Sequence, residues 1–258
     1  MMNSSVCRLL HMSHKVKLQE GAILIADAHY SQAYPQFYSF LQAVDSGKIE
    51  TKQLILMGDM FELLFGVIKQ THKDNAEEIA LLNKLSKCIE IIYFEGNHDF
   101  GLQNIFPDIR VFSLNEQPQV AEFKGQRIQL SHGDTNTPFG YQVYTKLIRN
   151  PVMLYAIGLL DKVCAHCIIS WLKTRGEQKD PCYKITGFKE IIHKRLKSLE
   201  SETVDVVIEG HFHQDLSFTL YGFDYINLAS FACNQKYFTV QSNQEQLVLQ
   251  ETLFKESM

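Results

Sequence analysis

The chain has 258 residues, 45% of them apolar, and a formal net charge of −4. That length and apolar content suffice for one sizeable core. The mild acidity excludes a protein that works by neutralising a nucleic-acid backbone, so no nucleic-acid partner is expected, although one small anionic substrate is compatible with it. Six cysteines at irregular spacing, in a chain with no basic-then-apolar leader, predict a reduced, cytoplasmic protein. Cys164 and Cys167 form a C-x-x-C with no second pair at zinc-ribbon spacing, so they are expected to be thiols and not metal ligands.

The first twenty residues have no clear period. Ala22-Ile23-Leu24-Ile25-Ala26 is then a short apolar run of buried-strand type, repeated at Leu54-Ile55-Leu56-Met57 and Ile91-Ile92-Tyr93-Phe94. Between the last two, residues 77–87 carry apolar side chains at helical spacing, and strand, helix, strand predicts a layered α/β sheet. After Gly133 the pattern changes to several helical tracts, and from Val204 strand-like alternation returns. The expected organisation is a single domain over 1–258 with a helical insertion at about 139–200.

Polar clusters follow these runs in order: Asp27-x-His29, Gly58-Asp59, Gly96-Asn97-His98-Asp99, His132-Gly133-Asp134 and Gly210-His211-x-His213. Any one could be a turn, since Asp and Gly are ordinary turn residues. Five of them, nearly all directly after an apolar β-run, predict convergence in one crevice outside the carboxyl ends of the strands. Oxygen and imidazole donors without cysteine suit divalent manganese, iron or zinc better than a closed structural zinc site. A bridging carboxylate is needed to hold two cations about 3.5–4 Å apart, and Asp59 is the candidate.

These motifs resemble those of the calcineurin-like metallophosphoesterases over residues 27–213 and in that family's order. The resemblance implies a four-layer αββα sandwich and two divalent ions, manganese being favoured, with iron, zinc or magnesium as alternatives. It implies one ion on Asp27, His29, Asp59 and His213, and another on Asp59, Asn97, His132 and His211. It also implies that His98, oriented by Asp99, faces the substrate as the catalytic group. Paired cations lower the pKa of a shared water and stabilise charge in the transition state. His98 would then donate to a phosphoryl or leaving oxygen.

The extensions Phe61-Glu62, Phe100, Asp134-Thr135, Tyr141-Gln142, Arg149-Asn150-Pro151 and Asn227-Leu228-Ala229 look like those of the UDP-2,3-diacylglucosamine pyrophosphatases of lipid A synthesis. That likeness implies hydrolysis of a lipid-linked nucleotide to UMP and a diacylglucosamine 1-phosphate, with Glu62, Asp134, Tyr141 and Arg149 at the substrate. One departure is His98, where the best-known class of that enzyme carries arginine. Within the insertion, residues 152–160 and 168–172 are strongly apolar, and Lys and Arg outnumber Asp and Glu by about two to one. This combination predicts a lid with Leu154, Ile157, Ile168 and Trp171 around the acyl chains, resting peripherally on the anionic cytoplasmic face of the inner membrane. The alternatives are an ordinary helical cap over an enzyme for a soluble phosphomonoester, phosphodiester or nucleotide, and a scaffold that has lost its metals. His11, His14, His72, His166 and His193 belong to none of the motifs.

Overall fold

The computed structural model describes residues 16–134, 149–201 and 203–255. The chain enters through strands β1 (Val16–Lys17) and β2 (Ile23–Ile25), and helix α1 (Gln36–Asp45) leads to β3 (Gln53–Leu56). A short strand β4 (Leu64–Phe65) and helices α2 (Lys69–Asp74) and α3 (Ala76–Leu85) lead to β5 (Glu90–Phe94). Next come β6 (Asp99–Phe100), β7 (Arg110–Phe112), and the hairpin of β8 (Gln119–Phe123) and β9 (Gln126–Ser131). Helices α4 (Pro151–Val163), α5 (Cys167–Glu177) and α6 (Phe188–Arg195) precede β10 (Val206–Glu209), β11 (Leu216–Leu220) and β12 (Phe223–Asn227). Helix α7 (Phe231–Asn234) and the hairpin of β13 (Lys236–Asn243) and β14 (Gln246–Leu253) end the chain. The predicted runs at 22–26, 54–57, 77–87 and 91–94 are β2, β3, α3 and β5.

Two six-stranded sheets result, ordered β14-β13-β2-β3-β5-β7 and β1-β8-β9-β10-β12-β11, with β4 and β6 paired as a small ribbon. Alternation along β2 explains how they stack. Ile23 and Ile25 meet Phe37, Phe40 and Leu41 of α1 and Leu82 and Leu85 of α3. Leu24 and Ala26 point the other way, into the layer shared with Ile128, Leu130 and Ile208 of the second sheet. On the outer face of that second sheet, Val207 and Tyr225 pack with Phe188 and Ile192 of α6. The four layers are therefore helix, sheet, sheet, helix, as the fold class predicts. Each fully buried Leu or Ile contributes roughly 1.5–3 kcal/mol of transfer free energy.

The helical stretch expected at 139–200 divides in two. The α6 part is the fourth layer of the sandwich. The α4–α5 part instead rests on the ribbon, with Leu154 and Ile169 buried against Leu63, Phe65, Ile68 and Phe100. Asn150 starts α4 by accepting from the Val152 and Met153 amides, and Pro151 occupies the first turn, where its missing N–H costs nothing. Buried Asp161 joins the helices by accepting from the Ile169 amide and facing His166 Nδ1 at 2.8 Å. The pair is bent by 103°, and no single described helix is long and apolar enough to cross a membrane.

The expectation of free thiols at Cys164 and Cys167 is corrected: they form a disulfide, and a second joins Cys182 to Cys233. The turn between α4 and α5 runs through left-handed Ala165 and His166, which brings the two Cα atoms to 5.5 Å, within bridging range.

If α6 is a structural layer, Ile192→Ala should cost about 2–5 kcal/mol by leaving a cavity. Urea unfolding followed by circular dichroism would measure it, and a loss below about 1 kcal/mol would contradict the layer assignment.

Candidate metal centre

Strands β2, β3 and β5 run parallel in one sheet, as do β9 and β10 in the other. Their carboxyl ends meet along one edge, so the loops carrying Asp27, Asp59, Asn97, His132 and His211 converge. The local backbone is unusual at these points: Asp27, His29, Asp59, His211 and His213 all have positive φ, between 42° and 63°. Non-glycine residues rarely adopt that region, and clusters of such residues are held in place by their surroundings. Close packing enforces it here. A Cβ on Gly96 would overlap the Asp59 carboxylate, and one on Gly210 would come within 2.6 Å of Asp27 Oδ2.

Three overlapping donor groups form among the described residues. The ligand atoms available from Asp27, His29 and His213 lie within 4.8 Å of one another, as do those from Asp59, His132 and His211 and those from His29, Asp59 and His98. The first two hold only residues expected as ligands; the third joins them and brings in His98. His132 Nδ1 is 2.9 Å from the Met57 carbonyl and His213 Nδ1 is 2.9 Å from the Pro181 carbonyl. Each Nδ1 therefore donates to a carbonyl, which leaves Nε2 as the atom turned toward the site. Those Nε2 atoms face acceptors: His132 lies 3.4 Å from Asp59 Oδ2, and His213 lies 3.2 Å from Asp27 Oδ1. The Oδ1 of Asn97 is buried without a hydrogen-bond partner. Carboxylate and imidazole donors converging beside an amide oxygen with no hydrogen bond among the described residues fit divalent cations, which would take coordination from all three.

The ligand imidazoles differ in their electrostatics: for His132 and His213 burial opposes the charge, but the Asp59 and Asp27 carboxylates outweigh it and raise both. Burial and the neighbouring charge of His132 push the His211 imidazole down to about 3, leaving it neutral and able to ligate. For Asp59, burial opposes ionisation, but His132 and His98 outweigh it and hold the carboxyl well below its usual range. For His98, burial also opposes the charge, yet the Asp59 and Glu62 carboxylates raise it to about 9.

The pocket beside these groups encloses about 200 Å³ and is lined by Asp59, Asn97, His98, His211 and His213, with Tyr34, Lys179 and Asp180 at its edge. The expected role of Asp99 in orienting His98 is corrected. Its carboxylate accepts from the Asp59, Met60, Phe61 and Gly96 amides and from the Tyr93 hydroxyl, so it shapes the Asp59 loop. His98 is held instead by Glu62: His98 Nδ1 lies 2.8 Å from the Glu62 carbonyl and 3.3 Å from Glu62 Oε1. Asp134 and Arg149 face each other at 3.3 Å, and Arg149 also donates to the Gly96 carbonyl. Its Nε and Nη1 have no hydrogen-bond partner among the described residues. Tyr141 lies outside the described residues.

The four residues expected around acyl chains do not share one surface. Leu154 and Ile157 pack inward on the ribbon cluster. Trp171 is 57% exposed, with Arg175 over its ring, and Ile168 is half-buried. On α5 the inward stripe is Ile169 and Leu172, one residue out of phase with the expectation. Sequence reasoning also missed Tyr34, Lys179 and Pro181, which belong to no motif and reach the pocket only through tertiary structure.

Comparison with known proteins places these residues in a family. A sequence profile described as calcineurin-like phosphoesterase matches residues 22–215. A UDP-2,3-diacylglucosamine hydrolase from Pseudomonas putida is 26% identical over 197 residues, covering 74% of this chain and 81% of the relative. One from Aromatoleum aromaticum is 30% identical over 205 residues, covering 75% and 80%. Among solved structures, a dimetal phosphatase from Danio rerio superposes with a TM-score of 0.47 at 15% identity, covering 90% of this chain and 95% of that one. With the profile spanning most of its length, the chain belongs to the calcineurin-like phosphoesterases.

Proposed function

We propose that the protein hydrolyses the pyrophosphate of UDP-2,3-diacylglucosamine, releasing UMP and diacylglucosamine 1-phosphate for lipid A biosynthesis. The observation that carries this reading is the two donor groups of expected ligands, flanking one pocket beside His98. The substrate class is supported by the names of the relatives and by the apolar, basic character of α4 and α5. Asp27, His29, Asp59 and His213 would hold one divalent ion, and Asp59, Asn97, His132 and His211 the other, with manganese as the proposed native metal. Such a pair supplies an activated water and positive charge for the phosphoryl oxygens.

The chain's own residues do the rest. Donation from His132 to Met57 and from His213 to Pro181 fixes each ring with Nε2 toward the pair, which is how outer hydrogen bonds orient metal ligands. His98, a wall of the pocket, donates a hydrogen bond or a proton to the departing phosphate. Arg149, whose Nε and Nη1 have no hydrogen-bond partner among the described residues, adds the fixed charge that a pyrophosphate needs where position 98 is not arginine. We further propose that the outward apolar residues of α4 and α5, Val152, Leu160, Val163 and Trp171, rest on the anionic cytoplasmic leaflet, with lysine and arginine contacting headgroups.

Asp59→Asn should lose metal and turnover together, because the uncharged bridge no longer offsets repulsion between cations; full metal occupancy with near-normal rate, measured by elemental analysis and assay, would refute the bridge. His98→Ala should keep its metal and lose about 10²–10⁴-fold in kcat. His98→Arg should recover part of that loss on UDP-diacylglucosamine, and recovery confined to aryl phosphodiesters counts against the lipid substrate. Trp171→Gln and Leu160→Gln should weaken sedimentation with vesicles containing phosphatidylglycerol at an unchanged melting temperature. Undiminished sedimentation would remove the membrane contact.

A further inference from the structure

Glu62 is one of the few buried carboxylates at the site outside all three donor groups, and its surroundings come from three directions. Its Oε2 lies 3.2 Å from His29 Nδ1 and its Oε1 lies 3.3 Å from His98 Nδ1. The two rings stand edge to face with centroids 4.9 Å apart, so one side chain sets the orientation of both. Only about 5% of that side chain is exposed. Above it passes α5: a Cβ on Gly176 would overlap the Glu62 carboxylate. The segment that follows Glu62 carries Leu63 and Phe65, on which Leu154, Ile169 and Leu172 seat α4 and α5.

We infer that Glu62 is a positioning residue that couples the seating of α5 to the geometry of His29 and His98, with Gly176 as the contact that permits it. The inference rests on the metal and His98 roles proposed above. With α5 seated, the Gly176 backbone covers the carboxylate and leaves it the two imidazoles as partners. His29 Nδ1 faces the carboxylate at 3.2 Å, whereas His98 Nδ1 lies 2.8 Å from the Glu62 carbonyl with the carboxylate beside it at 3.3 Å, so one residue aims each Nε2 at the pocket. A shift of α5 uncovers the carboxylate to water and loosens both rings at once, so the helix pair and the reacting centre are read by one side chain. A helix that merely covers the pocket would have no such link and no need for a residue without a Cβ at 176.

The test is a double-mutant cycle on Gly176→Ala and Glu62→Ala. It is read by kcat and KM for bis(p-nitrophenyl) phosphate with Mn²⁺, by Mn²⁺ affinity from titration calorimetry, and by melting temperature. Gly176→Ala should lower kcat and Mn²⁺ affinity by about 10–100-fold, the usual cost of disturbing an outer partner of a ligand, with KM nearly unchanged. Glu62→Ala should lose as much. The double variant should be no worse than Glu62→Ala, since the added methyl then meets empty space. Glu62→Gln, which keeps one acceptor oxygen, should fall between. Multiplying losses in the double variant overturn the coupling, as does wild-type kcat and Mn²⁺ affinity in Gly176→Ala. If Gly176→Ala does not fold, unchanged kcat and affinity in Glu62→Gln overturn it instead. The diester carries neither acyl chain nor uridine, so the result stands apart from the lipid substrate. Asp59→Asn run alongside separates the two failures: retained metal there indicts the ligand assignment, whereas metal lost only there indicts Glu62.

Discussion

The organising constraint is the gathering of carboxylate, imidazole and amide donors at the floor of one pocket, most of them out of reach of bulk water. Asp27 and Asp59 are buried, and the imidazoles beside them have their Nδ1 protons committed to backbone carbonyls at Met57 and Pro181. Their remaining nitrogens point at the carboxylate oxygens. Two carboxylates buried this close together are costly unless positive charge, from imidazolium or from metal ions, offsets them. Several other features serve this one: left-handed backbone at five donor residues, glycines at 96 and 210 that leave no room for a Cβ, and an Asp99 carboxylate spent wholly on holding the Asp59 loop. Metal affinity and local folding are thereby linked, because the donors are brought together only by the loops that the metal would in turn stabilise.

Much of this was legible in the sequence. Ile23-Leu24-Ile25 and its two repeats are apolar on both faces because both faces are covered, and that pattern reads directly as a buried parallel strand. Motifs placed straight after such strands inherit a common location from sheet topology alone, which is why Asp27, Asp59, Asn97, His132 and His211 could be grouped before any coordinates. What escaped was whatever depends on side-chain direction after the chain leaves a strand. Asp99 follows His98 in sequence, yet the backbone turns it inward under Tyr93, and the partner of His98 is Glu62, thirty-six residues earlier. The inward stripe of α5 was misjudged by one residue because apolar residues at 168, 169, 171 and 172 fit two helical phases equally. Tertiary packing against Leu63 and Phe65 chooses between them.

The outer helices also serve two purposes that their composition does not distinguish. Basic residues are spread through α4, α5 and α6, yet Arg195 of α6 pairs with buried Glu209 beneath Tyr225 and is part of the sandwich, while Arg175 of α5 sits over an exposed Trp171. Counting charges gives one basic insertion; burial separates a structural layer from an outlying helix pair.

The bridge between Cys182 and Cys233 has a mechanical consequence. It fastens the segment after α5 to α7, which itself hangs from the backbone of Ala26 and Asp27. Pro181, beside that fastening, is both the carbonyl acceptor of His213 and part of the pocket wall. One rim of the pocket is thus riveted to the strand that bears the first carboxylate, and it moves only with the body of the protein. Pro181 holds its carbonyl toward His213 from a segment tied covalently to the element that hangs on Asp27, so two ligands of one proposed ion share a single covalent frame.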